Sequence, residues 1–345
     1  MIDILSLGPD IRAMWRRMLA EPAEVSVADE TLRQAIIGLE PNALAKLFRW
    51  QNCVRPDNES SYLPSRGQRL SEGRSVRLST LPRTERVRNV DFGDGLTLRF
   101  TDDHPAARVF MRRVLPSRGL HEPELVNYLK STVKRGDLIV DIGAHAGYVS
   151  CLAAALGATV IAAEMQPTLI PIIQLNAAMN GLWRVHTLCA ALGDRLGMVP
   201  AMRVGPSPGF QASVGQWERE DYPLSSLNHD CIPCMTLDSL FPAKSPPTLV
   251  KVDVEGAEGL VLKGAHNLIE ARQTRFMVEV HGHLIGGFGT TLTELLKPFP
   301  EDCWSLSMLT ADGLVPLSRG RFVDPAGPIA THAHNAPVLF EPVQA

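Results

Sequence analysis

The stretch from Leu138 to Glu164 constrains the fold of this chain more than any other segment. Leu138, Ile139 and Val140 form an apolar run that ends in Asp141. A glycine-bearing turn follows (Ile142-Gly143-Ala144-His145-Ala146-Gly147-Tyr148), then a run of small residues from Ser150 to Leu156 closed by Gly157. A second apolar run, Thr159 to Ala163, delivers Glu164. Strand, turn, helix, strand and acid in that order make the half-unit of a nucleotide-binding α/β sheet. In such a unit the glycines let the backbone approach the ligand, and the terminal acid takes ribose hydroxyls.

The glycine spacing bears on which nucleotide is bound. A dinucleotide fold uses G-x-G-x-x-G to seat a pyrophosphate on the helix N-terminus. Here the pattern is Asp-x-Gly-x-x-x-Gly, with His145 where a middle glycine would stand. An acid beside the turn suits the ammonium-bearing amino-acid end of S-adenosylmethionine better than a pyrophosphate. An NAD-dependent oxidoreductase and a non-catalytic nucleotide-binding scaffold are the two rival readings.

With 345 residues, 45% hydrophobic and 21% charged, the chain has room for one large α/β domain and an appendage. A net charge of −3 disfavours a general nucleic-acid binder. The apolar run Tyr148 to Ala163 is shorter than the ~20 residues of a membrane span. Met1-Ile2-Asp3 carries an early acid, with no signal-peptide pattern behind it. Six scattered cysteines read as reduced thiols, and Cys231-Ile-Pro-Cys234 lacks the partners of a zinc site. The expected compartment is the cytoplasm, with no membrane partner.

Residues 1 to about 50 show helical spacing, as in Leu32, Ile36 and Leu39. Between Asn52 and Arg88 apolar residues thin out and arginines accumulate, so residues 1–88 read as a helical arm with a basic linker. Residues 89–345 then form the main domain, with its core at 122–281. Leu96, Leu98 and Phe100 alternate after Gly93-Asp94-Gly95 and predict a strand or hairpin. Glu122–Val133 predicts a helix, as do Leu169 to Met179, stopped by Asn180-Gly181. Val185–Leu192, Leu249–Asp253 and Phe276–Val280 predict strands, residues 198–235 an irregular hairpin insertion, and Pro337–Phe340 a last antiparallel strand.

Four blocks, taken in order, resemble the FkbM family of S-adenosylmethionine-dependent methyltransferases. They are Asp141 to Tyr148, Ala190 to Asp194, Thr236-Leu-Asp-Ser-Leu240 and Val250-Lys-Val-Asp-Val-Glu-Gly-Ala-Glu258, with Val278 to His281 similar to the family's next element. The family usually carries asparagine where His145 stands, and residues 1 to 90 match no part of it. The resemblance implies a class I methyltransferase (Rossmann-like) fold, with a doubly wound, mostly parallel seven-stranded sheet. It also implies O-methylation of a sugar, glycan or secondary-metabolite hydroxyl.

Open α/β sheets bind ligands at the carboxyl ends of their strands. Asp141, Glu164, Asp253 and His281 all fall at predicted strand ends. The cofactor set is therefore Asp141, Gly143, Ala144, His145, Gly147, Tyr148, Glu164, Met165, Asp194 and Asp253. The catalytic set is His281, Asp253 and Glu255, with His281 as the base because free imidazole titrates near ~6.5. His283, His332 and His334 are read as incidental. No metal is assigned; magnesium held by Asp253, Glu255 and Glu279 is the alternative. The acceptor and the oligomeric state stay open, a homo-oligomer among the options.

Overall fold

The computed structural model describes residues 87–101, 104–114, 120–203, 210–212, 229–241, 245–331 and 336–343. The expectations for the arm, for His332 and for His334 lie outside these residues. The centre is an eight-stranded sheet of β3 (Leu138–Ile142), β4 (Thr159–Ala163), β5 (Val185–Leu188), β10 (Leu249–Val252), β11 (Arg275–Val280), β12 (Trp304–Thr310), β13 (Gly313–Pro316) and β14 (Ala336–Pro342). Its order is β13-β12-β14-β11-β10-β3-β4-β5. The pairs among β5, β4, β3, β10 and β11 are parallel. β14 runs antiparallel between β11 and β12, and β13 adds an antiparallel edge.

This is the mostly parallel, doubly wound α/β sheet that the sequence predicts, with one strand more than the seven expected. The extra strand comes from a hairpin turning at Ala311-Asp312. Its outer strand is largely exposed, so it carries no buried apolar run to reveal it.

Central strands of such a sheet are covered on both faces and read as continuous apolar runs. All four residues of β10 and of β5 are buried. Because alternate side chains point to opposite faces, neighbouring residues serve two cores. Ile139, Val160, Leu249 and Met277 pack with the helices α2 (Pro123–Thr132), α3 (Tyr148–Ala155) and α4 (Ile170–Met179). Val140, Ile142, Val250, Val252, Phe276 and Val278 pack with α5 (Leu237–Leu240), α6 (Glu258–Lys263), α7 (His266–Ala271), α8 (Leu292–Leu296) and α9 (Arg319–Val323).

The hairpin expected around Gly93-Asp94-Gly95 is β1 (Val87–Asp91) with β2 (Thr97–Thr101). It is fastened to α4 by side-chain amides. Asn176 accepts from the Thr101 N–H at 2.8 Å and donates to the Ala146 carbonyl at 2.8 Å. Asn180 binds both backbone groups of Arg99. A further helix, α1 (Pro105–Val114), follows the hairpin.

Two expectations are corrected. Val185–Leu192 is two strands, because the chain leaves the main sheet at Cys189-Ala190 and re-enters a second one as β6 (Ala191–Leu192). The described residues of the insertion are more regular than its Pro-, Gly- and Ser-rich composition suggests. β7 (Gly197–Arg203), β8 (Phe210–Ala212) and β9 (His229–Met235) join β6 in a four-stranded sheet of order β6-β9-β7-β8. Cys151, Cys189, Cys234 and Cys303 are free thiols. No described helix is long and apolar enough to cross a membrane.

Candidate active site

From β3 the chain winds one way to β4 and β5, and the other way to β10 and β11. The order reverses between β3 and β10, and ligands of open α/β sheets lie outside the strand ends at such a switch. Gly143, at the end of β3, has φ +81°. A Cβ built there would sit 1.8 Å from the Asp253 carbonyl oxygen at the end of β10. Only glycine lets the two strand ends close up.

The turn after β3 is held from β4. The N–H groups of Gly143 and Ala144 donate to the Ala163 carbonyl at 2.9 and 3.1 Å. The His145 N–H donates to Glu164 Oε2 at 2.8 Å, and the Gln166 N–H to Glu164 Oε1 at 2.8 Å. Burial drives the Glu164 carboxyl up to about 7 against these two hydrogen bonds, which favour its charge.

Asp141 lies beneath the turn rather than in the open. It is fully buried and accepts from the Ser150 hydroxyl at 2.5 Å. The parallel register sets Lys251 opposite it, and Lys251 Nζ stands 3.7 Å from Asp141 Oδ1 and 3.1 Å from Asp253 Oδ2. Burial raises the Asp141 carboxyl despite Lys251. Burial opposes the lysine charge too, but Asp253 and Asp141 outweigh it and raise the ammonium. Sequence reasoning passed over Lys251, although a cation inside the run Leu249-Val250-Lys251-Val252 is a signal in itself.

His145 adopts φ +51°, a left-handed conformation uncommon for a residue with a side chain. Its ring packs 5.2 Å from Phe110 of α1, and burial brings its pKa down to about 4. It is neutral at physiological pH. Gly147 is the N-cap of α3. Tyr148 is committed to the core, its ring between Phe92, Phe100 and Phe110 and its hydroxyl donating to the His121 carbonyl. Met165 packs on the second sheet's core beside Ala257 and Leu260. Asp194 stands apart, exposed in the connection between β6 and β7.

The expected catalytic residues do converge. His281 follows β11 with 1% of its surface exposed. Its Nδ1 lies 2.7 Å from Glu258 Oε1, and its Nε2 lies 3.4 Å from Glu255 Oε2 and 3.9 Å from Asp253 Oδ1. Glu258, at the first turn of α6, also accepts from the Gly256 N–H at 2.9 Å. Glu255 has φ +53°, which turns the chain so that Glu258 reaches His281 from below and Glu255 from the open side. Burial alone would lower the imidazole pKa. The Glu258 hydrogen bond and the charges of Glu258, Asp253 and Glu255 overcome it and push it up to about 9.

Three carboxylates around the imidazole favour its protonated form, and this bears on the expectation of His281 as a base near neutrality. Glu258 was not among the expected site residues. Its spacing, a helical turn beyond Glu255, was the available clue.

Residues 141–303 match the methyltransferase FkbM domain family. No curated protein matches the chain. Solved structures similar to it include a methyltransferase FkbM from Methylobacillus flagellatus. That likeness has 14% identity and TM-score 0.37, and covers 70% of this chain and 56% of that one. A precorrin-6y C5,15-methyltransferase from Geobacter metallireducens has 12% identity and TM-score 0.34 over 66% of this chain and 88% of that one. A TehB-like SAM-dependent methyltransferase from Corynebacterium glutamicum has 10% identity and TM-score 0.34 over 69% and 98%. The switch in strand order and the glycine turn lie within the matched segment, and residues 141–303 of this chain are similar to a methyltransferase FkbM domain.

Proposed function

We propose that the chain transfers the methyl group of S-adenosylmethionine to a hydroxyl of a sugar, glycan or secondary metabolite. The observation that carries this reading is the junction of two chemistries at the sheet's switch point. On the β3–β4 side are the glycine turn and Glu164; on the β10–β11 side are Asp253, Glu255 and His281. Glu164 would take the ribose hydroxyls, and the turn from Gly143 to Gly147 the amino-acid end, supported from below by Asp141, Ser150 and Lys251. The amides of Gly143, Ala144 and His145 are already spent on Ala163 and Glu164. That favours a ligand without pyrophosphate and counts against the NAD alternative.

Methyl transfer is an in-line displacement, so donor and acceptor must be collinear and the alcohol must lose its proton. Glu255, whose side chain is 65% exposed, would receive that proton in this reading. The hydroxyl oxygen then forms the new carbon–oxygen bond while the carbon–sulfur bond breaks, leaving S-adenosylhomocysteine. His281, locked by Glu258, positions Glu255 and Asp253.

The test is incubation with carbon-13-methyl S-adenosylmethionine and a panel of hydroxylated sugars and metabolites. The expected product shows an O-methyl carbon resonance, one S-adenosylhomocysteine formed per methyl transferred, and turnover roughly 10²–10⁴-fold lower in Glu255→Gln. An N-methyl product, or transfer to RNA alone, would overturn the assignment of the acceptor.

A further inference from the structure

The concentration of acids around His281 exceeds what positioning one proton acceptor requires. Glu255, Glu258 and Asp253 surround the imidazole, and Glu279, two residues earlier on β11, adds a fourth carboxylate. We propose that Asp253, Glu279 and His281 form a binding site for one divalent first-row transition cation, which holds the acceptor oxygen during methyl transfer. The role of the ion rests on the methyl-transfer reading above; its binding does not.

One ligand atom from each of the three residues lies within 4.8 Å of the other two. Ligand atoms at tetrahedral angles around an ion with bonds of ~2.1 Å stand ~3.4 Å apart, so the group closes on an ion with inward shifts of up to about an ångström. The second observation is His281 itself. The residue is 1% exposed, and its Nε2 is buried with no hydrogen-bond partner, 3.9 Å from Asp253 Oδ1.

Its other nitrogen is occupied by Glu258 at 2.7 Å. A carboxylate on the far ring nitrogen is the outer-shell arrangement that orients a metal-binding histidine and raises its basicity. Asp253 is likewise half-committed, with Oδ2 3.1 Å from Lys251 Nζ and Oδ1 toward the histidine. Two carboxylates and one imidazole suit Mn²⁺ or Zn²⁺ better than magnesium, which prefers oxygen ligands throughout. A cation there would polarise the acceptor hydroxyl, with Glu255 beside it to take the proton.

The test uses the full chain, stripped with chelator and titrated with Mn²⁺ alone. Free Mn²⁺ is read by electron paramagnetic resonance, and bound ion by electron spin-echo modulation from nitrogen-14. The expected result is one Mn²⁺ per chain with imidazole modulation. His281→Gln should lose the modulation, and Glu279→Gln should weaken binding at least about tenfold, each with an unchanged circular dichroism spectrum. Absence of Mn²⁺ uptake by the wild type, uptake without nitrogen modulation, or equal uptake by both variants overturns the site and leaves His281 as an ion-paired imidazolium. Calorimetry with S-adenosylhomocysteine on the same samples separates the two readings. S-adenosylhomocysteine binding without Mn²⁺ removes the cation and keeps the transferase; Mn²⁺ without S-adenosylhomocysteine binding does the reverse.

Discussion

At Glu164, burial and function pull the same carboxyl in opposite directions, and pH separates them. Its value in the folded chain is about 7, raised by burial above the ordinary 4.5. An acid raised on folding contributes stability that is fully present below about pH 4.5 and lost as pH rises through about 7. Ribose hydroxyls need the ionised form as their acceptor, so affinity for the nucleoside follows the opposite course. Binding of S-adenosylhomocysteine is expected to strengthen between pH 6 and 8 while the ligand-free chain becomes less stable. His145, at about 4, does not titrate in that window. Glu164→Gln keeps an acceptor oxygen for one of the two backbone amides. It should abolish the pH trend and weaken binding by roughly 1.5–3 kcal/mol. Calorimetry at three pH values is the check, and an unchanged trend in the folded variant removes Glu164 from the ribose.

The junction of β3 with β10 is the element-level counterpart, because the site exists only while those two strand ends touch. Gly143→Ala would drive a Cβ into the Asp253 carbonyl from a left-handed backbone. Gly181→Ala shares the left-handed backbone, with φ +67°, but meets no atom within 4 Å. The first should destabilise by about 1–3 kcal/mol beyond the second, read as a difference in urea midpoints. Asn176→Ala tests the tie between hairpin and turn, removing the amide that bridges the Thr101 N–H and the Ala146 carbonyl, at a cost of roughly 1–3 kcal/mol. These elements differ in how far the sequence reveals them. The strands β3, β4, β10 and β11 are legible because a strand buried on both faces must be continuously apolar. Asp141, Glu164, Asp253 and His281 are legible as the polar residues that end them. β12 and β13 also carry a signal, passed over in the sequence reading: Trp304 and Leu306 alternate with Ser305 and Ser307, and Asp312-Gly313 marks the turn. Asn176 is not legible, since it sits on a helix and meets its partners across a distance that no local pattern encodes.

For the whole molecule, the ligand is the remaining term in the stability of this fold. The two cores on either side of the sheet hold the strands, but buried charge collects where the strand ends meet. Asp141 is raised by burial, and Asp141 Oδ1, His145 Nδ1, Glu258 Oε2 and His281 Nε2 are all buried with no hydrogen-bond partner. Unpaired buried polar groups cost stability, so a ligand that engages this end should be felt by the entire domain. Binding to the folded state alone stabilises by about 2.7 kcal/mol at a hundred times Kd. For a domain of this size each kcal/mol moves Tm by roughly 2–4 °C, which gives a rise of roughly 5–10 °C. S-adenosylhomocysteine should produce that rise and NAD should not, measured by differential scanning calorimetry on the full chain. The same scan on a chain starting at Val87 tests whether residues 1–86 belong to that cooperative unit. An equal rise would make them separable from the cofactor site, as their composition suggests, whereas a truncated chain without a melting transition would make them part of the core. A rise with NAD in place of S-adenosylhomocysteine would return the fold to the dinucleotide reading that the spent amides of Gly143, Ala144 and His145 argue against.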